Sequence, residues 1–559
     1  MENQRNLFVI TLLAISAILY FKWLDFVKPE DVAQTPAQLE QAAIDSSIPT
    51  VSQTQNQEAN AVNSGGVPNF QPKETTINTD QLITVNTDLV VAVINTRGGV
   101  IERLELKKEP VSIDKPEQGF PLLKNTQNEV FIIEDGLIIA GSSEAPNHLS
   151  AQYQTTAKTY DLGSNDQIVI PLTWVNESGN LFEKTITFNR DSYVVNIDYK
   201  IINNSSVPLS VFQYAQFKRT EPEKSGGSFA QLPSYVGGAV YETEEKYQKI
   251  DFDDMSDENL NVATDNGWVS MMQHYFVGAF IPAQGQRVYY STTNKTVNPQ
   301  VYRLGYKTST GVDVQPGQSS TIGNQVFLGP KEQRRLDKVE EELGAKGLSL
   351  TVDFGVFTAL SKPLFWVLDF FYKLIGNWGW SIVLTTLLIK LVFFPLSAKS
   401  YKSMAAMKKI QPRMKTLKER YKDDRPKFQQ EMMALYKKEK VNPAGGCLPI
   451  LIQIPVFLAF YWALLESVEM RHAPFTLWLQ DLSAPDPYYV LPILMGLTQF
   501  LMTKLNPAPM DDIQKKVMMF MPLVLTFIFL SFPQGLVLYW VVNNILTMAQ
   551  QWYINRKYA

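Results

Sequence analysis

A run of apolar residues that encloses a single cation, Trp380–Leu396, constrains this chain more than any other feature. Lys390 is the only charged residue among those 17, and a lysine at the centre of a bilayer costs about 2.5–3.5 kcal/mol on insertion scales. Such a cation usually faces a protein interior or a water-filled cavity. Lys390 is also only six residues, or about 9 Å of helix, from Leu396. Its side chain could therefore reach the headgroups at the membrane surface instead, and the run alone leaves both interpretations open.

The acidic and basic residues divide the chain into two unlike parts. Residues 1–345 carry 27 Lys and Arg against 42 Asp and Glu, a net charge of −15. Residues 346–559 carry 24 against 13, a net charge of +11, and they hold most of the long apolar runs. The sequence therefore predicts an acidic water-soluble part joined to a basic membrane part.

Residues for metal, disulfide or nucleotide chemistry are scarce. The chain has one cysteine, Cys447, so no disulfide can form within it. Its three histidines, His148, His274 and His472, lack the spacing of a zinc site and are interpreted as ordinary polar or packed residues. No glycine-rich phosphate loop lies between a predicted strand and a helix. We therefore expect no metal, no cofactor and no catalytic residue.

The first 75 residues are predicted to hold an anchor and a tether. The apolar run Leu7–Phe21 follows Arg5 and has no small-residue cleavage site after it, which favours an uncleaved transmembrane anchor over residues 1–28. Residues 29–75 are rich in Gln, Ala, Asn, Ser, Thr and Pro and lack periodicity, which is typical of a disordered linker.

Residues 76–345 have the pattern of a β domain. Apolar and polar residues alternate in short runs that are separated by Gly, Asn, Asp and Pro clusters. The clearest runs are Leu82–Val93, Gln167–Trp174, Phe182–Phe188 and Tyr193–Ile202. Strands at this spacing over so long a stretch predict one large sandwich. Helical charge spacing occurs near its end, at Lys331–Leu343.

Residues 346–379 predict a helix that lies along the membrane surface. Between Phe354 and Trp378 the aromatic and aliphatic residues are interrupted by three charges, Lys362, Asp369 and Lys373. Charges at this spacing fit an amphipathic helix in the interface better than one that crosses the bilayer. An ordinary buried amphipathic helix would have the same pattern.

Residues 380–559 are predicted to form a membrane core. Its five spans are placed at 380–396, 447–465, 489–503, 517–532 and 535–554. The loop 397–443 carries 14 basic residues against 5 acidic ones and is therefore cytoplasmic. The loop 466–488 has Arg471 as its single Lys or Arg and therefore lies outside. Together with the N-terminal anchor, these spans put both termini in the cytoplasm and residues 29–345 outside.

The cytoplasmic loop 397–443 is predicted to be a helical hairpin. Helical spacing runs through Ser400–Tyr421 and Pro426–Lys440, and Pro426 suits the first turn of a helix. The basic face of such a hairpin can contact anionic lipid, or it can dock a ribosome or a targeting factor. The residues assigned to that contact are Lys408, Lys409, Arg413, Lys437 and Lys438.

Two stretches of the basic part carry a resemblance to a known family. The sequences NPAGGCLP, at 442–449, and FPQGLVLYW, at 532–540, resemble signature stretches of the YidC-type membrane protein insertases. The order of the parts resembles the Gram-negative members, which have a large periplasmic domain. The first stretch and the apolar run after it contain the residues of a signature hinge: Pro443, Gly445, Gly446, Pro449 and Pro455.

The resemblance implies a mixed fold class. An α-helical polytopic membrane core, with five core spans and the N-terminal anchor, is joined to an all-β supersandwich in the periplasm. The core is implied to enclose a hydrophilic groove that is open to the cytoplasm and to lipid and closed on the outer side. Lys390 stands where the family has an arginine, so a point charge replaces a planar fork of five donors.

The same resemblance suggests which residues line the groove. Thr386 lies one turn before Lys390 and matches a groove threonine of the family, and a Tyr-Trp pair stands where relatives commonly have two tyrosines. The residues assigned to the substrate groove are Lys390, Thr386, Tyr539, Trp540, Gln453 and Asn543. Gln499 and Asn544 are also polar residues at membrane depth. The Gln and Asn side chains could instead form hydrogen bonds between neighbouring helices, each of which stabilises the packing by about 0.6 kcal/mol.

The resemblance also implies a function: a membrane protein insertase and chaperone that works, alone or with the Sec translocon, through a wet groove bearing a cation. The groove would shorten the distance that a substrate's polar tail must travel through hydrocarbon, and its cation would attract the acidic groups of that tail. Burial of the substrate's apolar segment in lipid would supply the driving force without ATP. The expected partners are nascent membrane proteins, Sec translocon components, a ribosome and membrane lipids, with no DNA and no small-molecule substrate. The expected location is the bacterial inner membrane, and enzymatic activity is not expected. A secondary transporter and a membrane-anchored periplasmic scaffold are the alternatives.

Overall fold

The computed structural model describes residues 82–222, 234–283, 285, 287–294, 299–422, 424–439, 448–505 and 512–558. The predicted N-terminal anchor and the predicted linker lie outside the described residues. So do three residues of the signature hinge, Pro443, Gly445 and Gly446.

The acidic part contains two β-sheets. Within the described residues, the first sheet has 11 strands: β1 (Leu82–Asn86), β2 (Val90–Asn95), β3 (Val100–Ser112), β4 (Lys115–Asn125), β5 (Val130–Ile139), β7 (Thr159–Asp161), β11 (Leu209–Thr220), β14 (Asn261–Thr264), β17 (Arg287–Asn294), β18 (Val301–Thr308) and β19 (Val312–Val314). Their order is β14-β17-β18-β11-β5-β4-β3-β2-β1-β7, and β19 pairs with β11. The edge pair β1–β7 is parallel, whereas its neighbour β1–β2 is antiparallel.

The second sheet has nine strands by the same count: β6 (Gln154–Thr155), β8 (Gln167–Val175), β9 (Leu181–Asn189), β10 (Val194–Ile202), β12 (Gly237–Glu242), β13 (Lys246–Ile250), β15 (Trp268–Met272), β16 (Phe276–Pro282) and β20 (Ser319–Pro330). Their order is β13-β12-β15-β16-β20-β10-β9-β8-β6. Sequence-distant strands pair in each sheet, such as β5 with β11 in the first and β10 with β20 in the second, so neither sheet could form from local contacts alone.

The two sheets pack face to face around one apolar core. Every second residue of β10 is buried, among them Ile197 and Tyr199, as expected for a strand with one face toward the core. Phe217 of β11 meets Phe280 of β16 across the gap, with ring centroids 4.5 Å apart. The large sandwich predicted from the alternating runs is therefore confirmed.

One predicted run was too long. Leu82–Val93 is divided into β1 and β2 by a turn after Asn86. The hydroxyl of Thr87 accepts hydrogen bonds from the backbone nitrogens of Leu89, at 3.1 Å, and Val90, at 2.9 Å. A threonine side chain that bonds to the following backbone stabilises a turn, and apolar alternation alone does not reveal it.

A glycine and a tryptophan fix the start of β15. Gly267 has a φ of 127°, and a Cβ there would lie 1.8 Å from the carbonyl oxygen of Tyr241, so only glycine fits. The next residue, Trp268, is fully buried and donates its indole N–H to the carbonyl oxygen of Lys346 over 3.0 Å. This bond ties the sheet to the segment that leads into the basic part.

The basic part is helical. The helices of the described residues are α1 (Phe252–Asp257), α2 (Gln333–Leu343), α3 (Thr358–Ile375), α4 (Trp378–Val392), α5 (Phe394–Arg420), α6 (Arg425–Lys438), α7 (Leu448–Leu465), α8 (Val490–Leu505), α9 (Asp512–Phe529) and α10 (Gln534–Tyr558). The first two belong to the acidic part, and α2 follows the predicted helical charge pattern. The helix α3 lies within the segment predicted to be amphipathic, and α5 and α6 lie at the predicted hairpin.

The boundary between α3 and α4 is set by two residues. Gly376 takes the left-handed conformation, with a φ of 72°, and ends α3. The side chain of Asn377 then accepts a hydrogen bond from the backbone nitrogen of Trp380 over 3.0 Å, which caps the first turn of α4.

The predicted span 380–396 is not one straight helix. The chain breaks at Phe393, and the axes of α4 and the first part of α5 differ by 65°. Pro395 explains the break, because a proline has no N–H to bond the carbonyl of Leu391 and its ring would clash with that carbonyl in a continuous helix.

Length and hydropathy give a restricted set of candidate spans. Taken one at a time, none of the described helices is both long and apolar enough to cross a membrane. The bent pair Trp378–Val392 and Phe394–Met404 meets the requirement when taken together. Three shorter apolar segments are Gln453–Leu465, Val490–Leu505 and Met518–Phe529. The predicted span 517–532 overlaps α9 and extends three residues beyond its end at Phe529.

Candidate functional site

A buried polar cluster lies where α4, α7 and α10 meet. Lys390 of α4 is only 7% exposed. Its Nζ donates to Thr547 Oγ1 of α10 over 2.8 Å and to Gln453 Oε1 of α7 over 3.4 Å. We call this group the Lys390 cluster, and its members are Lys390, Gln453, Asn543, Thr547 and Gln550.

The other members of the cluster bond to one another. Gln453 donates its Nε2 hydrogen to Asn543 Oδ1, and Thr547 Oγ1 donates to the Asn543 carbonyl over 2.6 Å. Gln550 Nε2 donates to the carbonyl oxygen of Lys390 over 3.0 Å. That carbonyl lies in the last turn of α4, where backbone oxygens have no partner within the helix. The break at Phe393 therefore exposes an acceptor that α10 satisfies.

The ammonium group of Lys390 keeps some capacity for a further partner. It has three N–H donors, and within the described ranges it has two acceptors, both neutral oxygens, and no carboxylate at ion-pair distance. A cavity of about 30 Å³ adjoins it, which is enough for a water molecule. The cavity is lined by Ile389, Lys390, Phe393, Leu396, Ser397, Gln453 and Val456. An uncompensated cation beside a cavity can attract an anionic group or hold water.

The structure brings together four of the six residues assigned to the groove: Lys390, Gln453, Asn543 and Tyr539, whose side chain hydrogen-bonds with that of Gln453. Thr386 is buried in α4, but its hydroxyl donates to the carbonyl oxygen of Ile382 over 2.6 Å. That bond lies within its own helix, as is common for threonine in apolar helices.

Tyr539 and Trp540 lie among aromatic rings. Tyr539 stacks on Phe460 of α7 at 4.6 Å, and Trp540 meets the ring of Phe457 edge-on at 4.6 Å. The indole N–H of Trp540 is buried and finds no acceptor within the described part of the chain. Within the described residues, Trp540 therefore contributes packing and no indole hydrogen bond.

Two members of the cluster, Thr547 and Gln550, were missed by sequence reasoning. They lie four and seven residues after Asn543, so they share its face of α10. Extending the polar pattern of Asn543 along one helical face would have found both. Asn544 lies on a different face of α10 and donates to Thr498 Oγ1 of α8 over 3.0 Å. Its side chain therefore joins two helices, which was the alternative interpretation of the Gln and Asn residues at membrane depth.

The loop 466–488 covers the ends of the helices opposite to the hairpin. At the start of α10, the backbone nitrogen of Gly535 donates to the carbonyl oxygen of Leu482 over 2.9 Å. The backbone nitrogen of Gln534 donates to the carbonyl oxygen of Ala484 over 2.8 Å. Asn377, which caps α4, donates its Nδ2 hydrogen to the carbonyl of Phe475 over 3.1 Å. The loop thus links α4 to α10 at this end.

The hairpin formed by α5 and α6 has its own small core. Ile410 and Tyr436 are buried in it, with methionines from both helices around them. Arg413 and Glu439 form an ion pair at 2.5 Å that joins the two helices. Of the residues assigned to ribosome or targeting contact, Lys409, Arg413, Lys437 and Lys438 are exposed. Of the signature hinge, the structure describes Pro449 and Pro455, which both lie in α7.

The histidines lie in separate surroundings. His148 Nδ1 is 2.6 Å from the hydroxyl of Tyr214 inside the β sandwich, and burial lowers the pKa of its imidazole. His274 Nε2 donates to the carbonyl oxygen of Leu465 over 3.0 Å, and burial lowers its pKa to about 4. The described segments contain no group of three His, Cys, Asp or Glu residues placed to hold a metal ion.

Comparisons with known families cover both parts of the chain. The family described as YidC periplasmic domain matches residues 82–367, and the family described as 60Kd inner membrane protein matches residues 370–559. A membrane protein insertase YidC of Nitrosococcus oceani is 44% identical over 566 residues, which cover 100% of this chain and 99% of the relative. One of Aeromonas salmonicida is 40% identical over 562 residues, covering 100% and 98%.

Solved structures give more distant similarities. A crystal structure of an active YidC insertase, with its first transmembrane domain resolved, has a TM-score of 0.39 and 17% identity, over 85% of this chain and 93% of the other. A galactose mutarotase related enzyme from Lactobacillus acidophilus has a TM-score of 0.30 and 10% identity, over 44% of this chain and 97% of the other.

Proposed function

This chain belongs to the YidC family of membrane protein insertases, and from that premise we propose that the Lys390 cluster is the polar part of its insertion groove. The chain is an insertase for nascent membrane proteins, and its relatives are inner membrane proteins. One observation carries the proposal: Lys390 is buried, is held by neutral oxygens and has a spare donor beside a cavity.

By electrostatic attraction, the cluster lowers the energy barrier for moving the polar tail of a substrate into the membrane. Two unit charges 4 Å apart attract by about 4 kcal/mol at an effective dielectric constant of 20. Because no carboxylate of the described residues neutralises Lys390, an acidic group of the tail can gain that attraction. The neutral oxygens of Gln453 and Thr547 hold the ammonium group in place without competing as counter-ions.

Apolar helix faces let the hydrophobic segment of the substrate leave into lipid. Ile493, Leu497 and Leu501 are exposed at four-residue spacing along α8, and Leu523 and Phe527 are exposed in the same way along α9. Such stripes form continuous apolar faces. A hydrophobic segment that slides along them stays out of water until it is surrounded by lipid, and its burial contributes about 0.8 kcal/mol per CH₂ group.

The topology that fits this role has the groove open toward the cytoplasm. The basic hairpin α5–α6 lies on the cytoplasmic side by the positive-inside rule. The loop 466–488 and the β sandwich lie on the periplasmic side, with both chain termini in the cytoplasm. The bonds from this loop to α4 and α10 support closure of the outer end.

The β sandwich is proposed to have no catalytic step of its own. Acid–base catalysis needs groups within reach of one substrate. His148 is buried against Tyr214, whereas His274 bonds to the end of α7, so the two histidines do not share a cleft. The alternatives of a transporter and a passive scaffold have no observation in their favour.

Site-specific photocrosslinking tests the groove. A photoreactive residue in place of Val456, which lines the cavity, should crosslink to the polar tail of a stalled nascent chain. The same probe in place of Ile545, which is exposed on α10, serves as the matched control and should capture less of the tail. Equal capture of the tail at both positions would contradict a groove at Lys390.

The basic hairpin is proposed to engage the ribosome or a targeting factor. Lys409, Lys437 and Lys438 present their charges to solvent, so they are free to meet nucleic acid phosphates. Replacing these three lysines with glutamine should weaken co-sedimentation with ribosomes several-fold and reduce its dependence on salt. Replacing Lys108, Lys115 and Lys338 of the β domain, which are also exposed, with glutamine is a control of equal charge change. Unchanged co-sedimentation of the hairpin variant would rule out this contact.

A further inference from the structure

A serine on the far side of the bend shares the cavity beside Lys390. Ser397 of α5 follows Lys390 by seven residues, which in a continuous helix would place the two residues about 10 Å apart along the axis. The chain instead breaks at Phe393 and turns by 65°, and Ser397 and Lys390 line the same cavity. The cavity is therefore bordered by an ammonium group from α4 and by a serine from α5.

Of the polar residues that line this cavity, Ser397 has the least engaged side chain. The three polar residues are Lys390, Gln453 and Ser397. The amide of Gln453 already bonds to Lys390 and Asn543. Ser397 is only 9% exposed, and its hydroxyl has no hydrogen-bond partner among the described residues. Because buried hydroxyls usually have a partner, that of Ser397 is available to a group that enters the cavity.

Other hydroxyls in these helices are engaged by their own helix. Ser381 of α4 donates to the carbonyl of Asn377 over 2.9 Å, and Thr386 donates to that of Ile382 over 2.6 Å. In both cases the acceptor lies four residues earlier in the chain, as is common for these side chains in apolar helices. Ser397 makes no such bond within the described part of α5. Its hydroxyl is therefore free to bond outside its own helix.

A second unpartnered hydroxyl follows on α5. Ser400 lies three residues after Ser397 and so shares its face of the helix. Ser400 is 3% exposed, and its Oγ is buried without a partner among the described residues. Further along, α5 enters the basic hairpin. Hydroxyl groups therefore extend from the cavity toward the end at which the proposed groove opens.

The cavity has the donors that a carboxylate requires. One oxygen of a carboxylate can accept the spare N–H of Lys390, and the other can accept the hydroxyl of Ser397. The remaining lining residues are apolar, namely Ile389, Phe393, Leu396 and Val456. Apolar walls strengthen polar interactions between them. A hydrogen bond from a hydroxyl to a carboxylate is about twice as strong as one between neutral groups, so a neutral amide of the same shape would be bound less well.

We propose that Ser397 and Lys390 together form a binding site for the side-chain carboxylate of an Asp or Glu in the tail of the substrate. Lys390 supplies the charge, and Ser397 supplies a directed donor that makes it a specificity-determining residue. The proposal rests on the proposed role of the Lys390 cluster and adds the chemical group that is recognised there. It distinguishes tails that carry carboxylates from tails that carry the corresponding amides.

The first measurement is insertion into proteoliposomes by the full-length chain, with two substrates whose tails differ only in Asp or Asn. Ser397→Ala should lower insertion of the acidic tail about fivefold and insertion of the amide tail by less than about twofold, because the bond to a charged acceptor is the stronger one. Ser381→Ala, which removes a hydroxyl that is engaged within α4, is the matched control and should insert both tails normally. Equal losses for the two tails in Ser397→Ala, or no loss for either, would overturn the proposal.

A double variant tests whether the two residues act on the same carboxylate. In the Lys390→Ala background, Ser397→Ala should lower insertion of the acidic tail by less than about twofold, since residues that share a partner are not additive. A further fivefold loss would contradict a shared site. If Lys390→Ala impairs insertion of the acidic tail and Ser397→Ala does not, this inference alone fails. If neither variant impairs it, the proposed function of the groove fails as well.

Disulfide trapping tests the contact without depending on insertion. Ser397→Cys is combined with Cys447→Ser, and a stalled nascent chain carries one cysteine beside the Asp of its tail. Cysteines are bridged only when their Cα atoms lie within about 7 Å of each other, so oxidation should link the tail to position 397. The yield should fall several-fold when the tail carries Asn in place of Asp. Equal yields for the two tails would show that the carboxylate is not recognised at this site.

Discussion

Lys390→Ala is expected to lower the insertion of substrates with acidic translocated tails by about tenfold, which corresponds to a loss of about 1.4 kcal/mol. The expected loss is smaller than the full attraction between two charges because water in the groove screens part of it. The measurement is insertion into proteoliposomes of two substrates that differ only in tail residues, Asp and Glu in one and Asn and Gln in the other. The defect should be largest for the acidic tail.

The controls separate charge from shape. Lys390→Arg should insert the acidic tail nearly as well as the parent protein, because the guanidinium keeps the charge. Lys390→Met keeps most of the volume and should behave like Lys390→Ala. Lys504→Ala removes an exposed cation from the end of α8 and should have little effect. If the alanine variant at 390 inserted acidic tails as well as the parent protein, the electrostatic role of Lys390 would be excluded.

Trp268→Ala is expected to destabilise the β sandwich by about 3–5 kcal/mol, the usual cost of removing a large aromatic side chain from a core. Trp268 is fully buried, packs between Tyr241 and Tyr247 with ring centroids 6.0 Å away in each case, and bonds to Lys346. Thermal or urea unfolding followed by tryptophan fluorescence of the full chain measures the loss.

A surface substitution in the same domain gives the reference for that measurement. Val207→Ala removes apolar atoms from a side chain that is 58% exposed, and it should change stability by no more than about 0.5 kcal/mol. A loss below about 1 kcal/mol for Trp268→Ala would mean that the core around β15 relaxes into the space, contrary to the close packing described above.

Much of the fold follows from local patterns in the sequence. The strands β8, β9 and β10 fall where alternation predicts them, within a residue or two, because one face of each strand is buried and the other is not. The pairing of β10 with β20, more than a hundred residues later in the chain, has no local signal. The turn at Thr87 and the break at Pro395 depend on single residues, which a pattern averaged over a window overlooks.

The candidate site could also be predicted only in part from the sequence. Lys390 is conspicuous in the sequence because a lone cation in an apolar run is costly. Its partners Gln453 and Thr547 are ordinary neutral residues on other helices, and only tertiary packing shows that their oxygens meet the ammonium group. Lys331 and Glu466 likewise resemble surface charges in the sequence, although both are buried in the structure.

The 65° bend at Phe393 turns the axis of α5 away from that of α4. The helix α5 has 27 residues and is about 40 Å long, so a rotation of 10° about the bend would carry its far end through about 7 Å. Lys390 lies on the other side of the bend, only three residues from it, and its carbonyl is bonded to Gln550. The bend therefore puts the far end of α5 about 40 Å from the break, whereas the charge in the groove stays on α4, next to the break.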